Sequence, residues 1–423
     1  MTAAKKNKSG IECRTVRRRG RSGWLLANEQ VALCCLRGGG HLESLCLRKG
    51  PAPNVNLLWE SNWQTIEPQR YSEKRHGRRY GFPPAGKYLS GYTGHSLCID
   101  YFGAPSEEET LLGLPLHGEV ACNRWTRVKE GAQRGLGRLR VRSAAPSAGL
   151  IVQRDITLRE GESVAYVTET ITNKTTRDRY FQWAQHTTFG PPFLQAGESV
   201  CLMPGTRSKT WPLGYEGKGA LENDREFAWP NAPANNGQVL DISRPFTTNG
   251  RGFIATTLLA EDRDSQLAYV AVLNWRLGLL AGYCFRRSDF PWVANWEENC
   301  ARTDAPWGGN TQARGLEFAT SPMPLGLRDA ILSGPLFGVP AVRCLPARGL
   351  QAASYAIFVT QTPHAWRTIT GIGVRGNALV VTGPNPEERI ELTARGLKEI
   401  SPDQESRPER LKARPVPQGG TRA

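Results

Sequence analysis

The sequence predicts an all-β chain, a large antiparallel β-sandwich, and three observations predict it. Runs rich in Val, Thr, Trp and Tyr recur along most of the 423 residues, and these residue types suit a pleated, half-buried surface. Turn formers separate the runs: the chain holds 45 glycines and 29 prolines, which break helices and set turns. No convincing helix longer than a few turns and no repeat of 20–50 residues interrupts the pattern. With 39% apolar and 9% aromatic residues, the chain can fill a sizeable core. A sandwich this long needs wide sheets, which leave a concave face where a ligand can sit.

The ends are read first by charge. Residues 1–22 hold eight Lys/Arg against Glu12 and read as a disordered basic arm. Residues 401–423 are rich in Pro, Arg, Glu and Gln and read as a disordered tail. One sandwich domain is expected over 23–400. The formal charge is +15, of which the middle of the chain keeps only about +6, an ordinary balance. Arg17-Arg18-Arg19 could touch an acidic surface, but no nucleic-acid partner is expected.

Taken in order, the elements begin with two short apolar runs, Trp24-Leu-Leu-Ala and Val31-Ala-Leu-Cys-Cys-Leu, split by Asn28-Glu29. They read as a hairpin. Gly38-Gly39-Gly40-His41 then permits a tight turn into the strand that starts at Leu42. Residues 60–95 are Arg-, Tyr-, Gly- and Pro-rich without a clean period and read as a long loop, either functional or an insertion. Segments 136–143, 149–158 and 162–172 read as successive antiparallel strands. Residues 267–285 read as a core hairpin turning at Arg276-Leu-Gly278. Asn274 and Arg276 interrupt that stretch, so it is no membrane span, and no membrane association is expected. No apolar segment follows the basic N-terminus, so no secretory signal is expected and a cytoplasmic location is. The ten cysteines include no Cys-x-x-Cys pair or zinc-like spacing, which predicts neither a disulfide framework nor a bound metal.

Three segments carry candidate chemistry. In Leu114-Pro-Leu-His117-Gly118, an imidazole precedes a glycine where the backbone can bend sharply, and Trp125 follows eight residues on, large and flat enough to floor a pocket. Tyr180-Phe-Gln-Trp-Ala-Gln-His186-Thr-Thr-Phe189 sets a histidine in a strand-like run. Ala313-Arg-Gly-Leu-Glu317-Phe-Ala sets a carboxylate between apolar residues that place it on a strand. Glu297 and Glu298, beside Trp296 in a tryptophan-dense loop, are a rival location for that carboxylate.

Together these pieces resemble the galactose mutarotase-like superfamily, the aldose 1-epimerases. The opening 33–45 run closing at Asn56-Leu-Leu-Trp59 is similar to the family's first hairpin. Phe102-Gly103, His117-Gly118 and Trp125 are similar to a run of the hexose-6-phosphate epimerase branch. Asn173 through His186-Thr-Thr-Phe189, and Arg314-Gly-Leu-Glu317 with Pro322, are similar to later family segments. The resemblance spans roughly residues 24–385 and implies the superfamily's supersandwich fold. It implies an epimerase that interconverts anomers of an aldose or aldose phosphate without metal or organic cofactor. Glu317 would be the base on the C1 hydroxyl and His186 the acid at the ring oxygen. His117 would hydrogen-bond the substrate there. A carboxylate and an imidazolium suit the task because each favours the other's charged form. The alternative is a carbohydrate-binding protein on the same scaffold without turnover, stacking a sugar on Trp125, Trp292 or Trp296. Asp241 is similar to a substrate-binding aspartate of the mutarotase branch. The phosphate branch follows His-Gly with an aromatic and an arginine. Here Glu119-Val-Ala follows, so a guanidinium for phosphate would have to come from Arg124 or the 70–79 arginines.

Overall fold

Alternation along the strands builds the molecule. In Leu136–Ala145 every second side chain is buried, including Leu139, Val141 and Ala145, while Arg138, Arg140 and Arg142 face out. In Leu150–Arg159, Leu150, Val152, Ile156 and Leu158 turn inward. A two-residue period leaves one apolar face per strand, and pairing such strands makes an apolar sheet face that needs a second layer.

The computed structural model describes residues 10–50, 52–216, 218–261 and 267–400. Two antiparallel sheets pack face to face. The first, of 12 strands, runs in the order Glu12–Arg18, Arg21–Ala27, Val31–Leu36, Leu42–Leu47, His95–Asp100, Arg179–Phe189, Gln312–Ala319, Trp292–Asn299, Arg251–Leu259, Gly205–Thr210, Glu226–Ala228. Arg343–Leu345 pairs beside this path with Arg179–Phe189. The second, of 8 strands, runs Ser199–Leu202, Leu267–Asn274, Leu279–Arg286, Leu350–Gln361, Val164–Asn173, Leu150–Arg159, Leu136–Ala145, Thr126–Gln133. Trp24, Leu33, Leu97, Leu316 and Phe318 of the first sheet meet Leu139, Val152, Val167, Val270 and Ile357 of the second in one core.

A three-stranded sheet of Gly371–Arg375, Ala378–Thr382 and Arg389–Thr393 covers the outer face of the second sheet. Its Leu379, Val381 and Leu392 pack on Tyr166, Leu280 and Phe358. The hairpins expected at Asn28-Glu29 and at 276–278 are both present. The strand-rich reading therefore holds: the fold is a large antiparallel sandwich.

Two expectations need correction. The basic arm does not stay unstructured through residue 22. Glu12–Arg18 is the edge strand of the first sheet, paired from Glu12 with Ala27 to Arg18 with Arg21. Ile11 enters the core and Cys13 packs against it. Arg21, counted in the arm, is buried and gives Nη1 to the Gly91 carbonyl at 2.6 Å and Nη2 to the Gly38 carbonyl at 2.8 Å. Net charge hid a short strand in which only Cys13 and Val16 are apolar. Residues 1–9 and the tail 401–423 lie outside the described residues.

The 60–95 segment is the second correction. It holds a 3-10 turn at Pro68–Arg70 and two short helices, Glu73–Tyr80 and Ala85–Leu89. Pro83 and Pro84 separate the helices, so neither is long enough to show a period in sequence. The segment lies on the face of the first sheet opposite the core. There Trp59, Trp63, Tyr80, Tyr88, Leu89 and Tyr92 cluster with Trp296 and Trp307.

Candidate active site

Strand register sets the centre of this face. In the pairing that joins Ala184 to Ala319 and Thr188 to Gly315, His186 comes opposite Glu317. On the next strand, Ala294 pairs with Glu317 and Trp296 with Gly315. Neighbours Gln185, Leu316 and Phe318 turn to the inter-sheet side, where Gln185 reaches Glu169 of the second sheet. Alternation thus sends His186 and Glu317 to the opposite face. His186 Nε2 lies 3.4 Å from Glu317 Oε1. A Cβ at position 315 would come within 2.4 Å of Glu317 Oε1, so the glycine of Arg314-Gly-Leu-Glu317 leaves room for this carboxyl.

His117 arrives from a turn rather than a strand. It sits at φ 63° and Gly118 at φ 83°. A Cβ on Gly118 would meet the Ile99 carbonyl oxygen at 2.1 Å, so only glycine fits after the histidine. The turn is tied down by His117 N–H donating to the Gly103 carbonyl at 3.2 Å. His117 Nδ1 lies 2.6 Å from the Phe102 carbonyl. A carbonyl only accepts, so Nδ1 carries the hydrogen and Nε2 keeps its lone pair. The His117 and His186 rings meet edge to face, with centroids 4.9 Å apart.

These three residues line one cavity of about 230 Å³ with Tyr88, Tyr92, Trp211, Trp296, Trp307 and Arg302. Tyr88 and Tyr92 stack at 4.9 Å, and Tyr88 packs edge-on against His117 at 4.6 Å. Trp296 stands 5.9 Å from both His186 and Trp307. Arg302 lies 4.9 Å from the ring centres of Tyr215 and Trp307. Its Nε is 3.0 Å from a Glu216 carboxylate oxygen and 3.8 Å from one of Glu298.

Burial decides the charges. Glu317 is held well above the ordinary carboxylate range because its charged form has lost water. Burial, aided by neighbouring His117, holds His186 well below the usual imidazole value. Burial lowers His117 to about 4, against the opposing pull of the Phe102 carbonyl. His117 is therefore neutral near pH 7. Glu317 is thus displaced toward its protonated form and His186 toward its neutral form, and the 3.4 Å between them lets one proton be shared. That pair can take a proton at one atom while giving one at the other.

The remaining expected site residues divide. Trp296 is in the cavity wall. Trp125 is not: it is fully buried in the inter-sheet core, with Nε1 donating to the Val120 carbonyl at 3.0 Å and Arg154 over its ring. Arg124 is exposed, and its backbone bridges Gly38. Asp241 ends the short strand Val239–Asp241, accepts the Ser243 amide at 3.0 Å and pairs with Arg244 at 3.5 Å. Neither Arg124 nor Asp241 lines the cavity. The rival carboxylates are engaged elsewhere. Glu297 pairs with Arg314 at 2.7 Å, and Glu298 accepts from Tyr215 at 2.6 Å. A larger hollow of about 340 Å³ adjoins Glu297 and Gln312, where Glu297 accepts from Arg314 and from the Phe246 amide and Gln312 donates to Asn299. Sequence reasoning missed Tyr88, Tyr92, Trp307 and Arg302. Among the described residues, no group of three His, Cys, Asp or Glu side chains is arranged to hold a metal.

Residues 45–323 match the model of the family described as "Domain of unknown function (DUF4432)". The chain belongs to the DUF4432 family. No curated protein matches its sequence. Among solved structures, a provisional aldose 1-epimerase from Klebsiella pneumoniae aligns with a TM-score of 0.60 at 14% identity, over 84% of each chain. A galactose mutarotase-like protein from Clostridium acetobutylicum aligns with a TM-score of 0.54 at 11% identity, over 84% of this chain and all (100%) of the other. A provisional mutarotase from Salmonella typhimurium aligns at 0.51 with 13% identity, over 84% and 95%. This DUF4432 chain thus has the galactose mutarotase-like fold, as its sequence motifs suggested. Among its described residues, no helix is long and apolar enough to cross a membrane.

Proposed function

We propose that the chain is an aldose 1-epimerase acting on an unphosphorylated aldose. The reading rests on one observation: a buried acid–base pair, His186 and Glu317, faces an aromatic-walled cavity of monosaccharide scale with a neutral histidine beside it. The reacting form is the singly protonated pair with its proton on His186 Nε2. Glu317 takes the proton of the C1 hydroxyl. The C1–ring-oxygen bond breaks, and the ring oxygen takes the proton from His186. After rotation about C1–C2 the transfers reverse on the other anomer, so no atom is gained or lost. His117 Nε2 accepts a hydrogen bond from a sugar hydroxyl. The apolar faces of Trp296 and Trp307 suit the C–H faces of a pyranose.

Charge argues against a phosphate. Arg302 is the only Lys or Arg lining the cavity among the described residues, and two carboxylates already sit against it. Neither Arg124 nor the 70–79 arginines reach the cavity. The ten cysteines are all free and seven are buried, which supports a reducing, cytoplasmic setting.

Anomer exchange, followed by NMR or polarimetry over a panel of aldoses and their 6-phosphates, tests the reading. Acceleration is expected for neutral aldoses, reduced about 10²–10⁴-fold in Glu317→Gln and in His186→Ala. Sugar binding without any acceleration would make the chain a carbohydrate-binding protein instead.

A further inference from the structure

The 60–95 segment brings one more polar group to the site, behind His186. The Tyr92 hydroxyl lies 2.6 Å from Thr188 Oγ1. Both oxygens face His186 Nδ1, Thr188 at 3.2 Å and Tyr92 at 3.4 Å. Thr188 is two residues beyond His186 on the same strand face, and the Tyr92 ring stands edge-on to the imidazole at 5.3 Å. On the opposite side of that imidazole, Nε2 faces Glu317. Tyr92 and Thr188 are almost fully buried, so solvent does not compete for these bonds.

We propose that Tyr92 and Thr188 are positioning residues that hold His186 as its Nδ1–H tautomer, leaving Nε2 as the atom that exchanges a proton with Glu317 and substrate. The proposal rests on the acid–base reading above. A hydroxyl can donate or accept, so Nδ1 alone does not decide the tautomer. Glu317 decides it. Nε2 is the ring nitrogen beside the carboxyl, at 3.4 Å, and burial favours the protonated carboxyl, whose O–H needs an acceptor. A bare Nε2 serves as that acceptor, which puts the ring hydrogen on Nδ1, donating to Thr188 Oγ1 at 3.2 Å. The short bond to Tyr92 fixes the Thr188 rotor and leaves a lone pair for that hydrogen. When the carboxyl proton moves to Nε2, the hydrogen at Nδ1 stays in place and the hydroxyl pair solvates the imidazolium. The reverse tautomer would set Nε2–H against a protonated carboxyl and leave that O–H without the ring acceptor. His117 uses the same device with a carbonyl in place of the hydroxyls, its Nδ1 anchored on Phe102 and Nε2 open to the cavity.

Two-bond ¹H–¹⁵N NMR of the imidazoles in the labelled full chain reads the tautomer directly. The His186 signals should show protonated Nδ1 and bare Nε2 at neutral pH. Thr188→Val should move them toward the Nε2–H pattern, and Thr188→Ser should restore the original. In anomer exchange, Thr188→Val should lower kcat about 10–100-fold, by analogy with the loss of the partner behind a metal-bound histidine, with KM little changed and with rescue by serine. An Nε2–H tautomer in the unmodified protein, or a pattern unmoved by Thr188→Val, overturns the proposal. The expected tautomers in a protein that accelerates no aldose would overturn the epimerase reading alone and support the tautomer assignment.

Discussion

Gly315 and Glu317 point to the same side of one strand, and a Cβ on Gly315 would sit 2.4 Å from Glu317 Oε1. The glycine is therefore part of the carboxyl's geometry, although it touches no substrate. Position 315 is not among the positive-φ residues, so an alanine there would not strain the backbone. Gly315→Ala should leave the fold intact while displacing the carboxyl by a fraction of a side chain. A misplacement near 1 Å costs about 100-fold in rate. Anomer-exchange rates should fall by that order while the unfolding midpoint changes little. Unchanged activity would mean that Glu317 is not held where the chemistry needs it.

The coupled pair sets a pH profile. The acid limb marks entry of a second proton, on His186, which burial holds below the ordinary imidazole value. The alkaline limb marks loss of the last proton, which burial of Glu317 holds above the ordinary carboxylate value. His117, Tyr88, Tyr92 and Arg302 also face the pair, and burial keeps both phenols protonated well above their usual value. The rate of anomer exchange against pH should therefore form a bell with a broad flat top through neutrality. A profile rising through an ordinary, unshifted histidine value would contradict the buried pair.

His117 makes a separate claim on stability. Its folded value is lowered from 6.5 to about 4, so the unfolded chain takes up this proton first. The stabilisation is then fully present above pH 6.5 and is lost as pH falls through about 4. Thermal unfolding in that window should steepen with acidity, and His117→Asn should flatten part of the slope. An equal slope in both proteins would show that His117 does not titrate as its buried setting requires.

The fold was legible where strands alternate. The core strands Leu136–Ala145 and Leu150–Arg159 carry their period in plain view. That His186 and Glu317 stand on strands was legible because apolar residues flank them. Trp125 was misread because sequence near a histidine does not say which side of a sheet a ring will take; its indole turned inward, against Gly40 and Arg154. Asp241 was misread because a short exposed strand and its own turn use the carboxylate locally. Tyr92 and Arg302 come from stretches too short and irregular to show a period, and only the tertiary fold brings them to His186 and Trp296.

Trp125 therefore predicts a stability effect. Its ring is fully buried against Gly40, where an added Cβ would come within 2.4 Å of the indole. Trp125→Ala leaves a cavity in the inter-sheet core and should cost about 3–5 kcal/mol, measured by urea unfolding. The folded fraction should keep its affinity for sugar. A selective loss of affinity with stability intact would return Trp125 to the site.

The buried ion pair between the sheets links core and site. Glu169 accepts from Arg154 Nε at 2.6 Å, from Gln185 Nε2 at 2.5 Å and from Trp183 Nε1 at 3.3 Å. Gln185 and Trp183 belong to the strand that carries His186, so the carboxylate anchors that strand from behind. Glu169→Ala strands the Arg154 guanidinium without its counter-charge at a fully buried position and should cost about 3–5 kcal/mol. Replacing both partners with apolar residues of similar size, Arg154→Met with Glu169→Leu, removes the desolvated charges together and should recover much of that loss. Urea midpoints at constant m-value measure both. The double variant should still lose anomer exchange, because Gln185 and Trp183 no longer have their acceptor. If it is as active as the unmodified chain, the ion pair does not support His186; if it is no more stable than Glu169→Ala, the penalty is lost packing rather than an uncompensated charge.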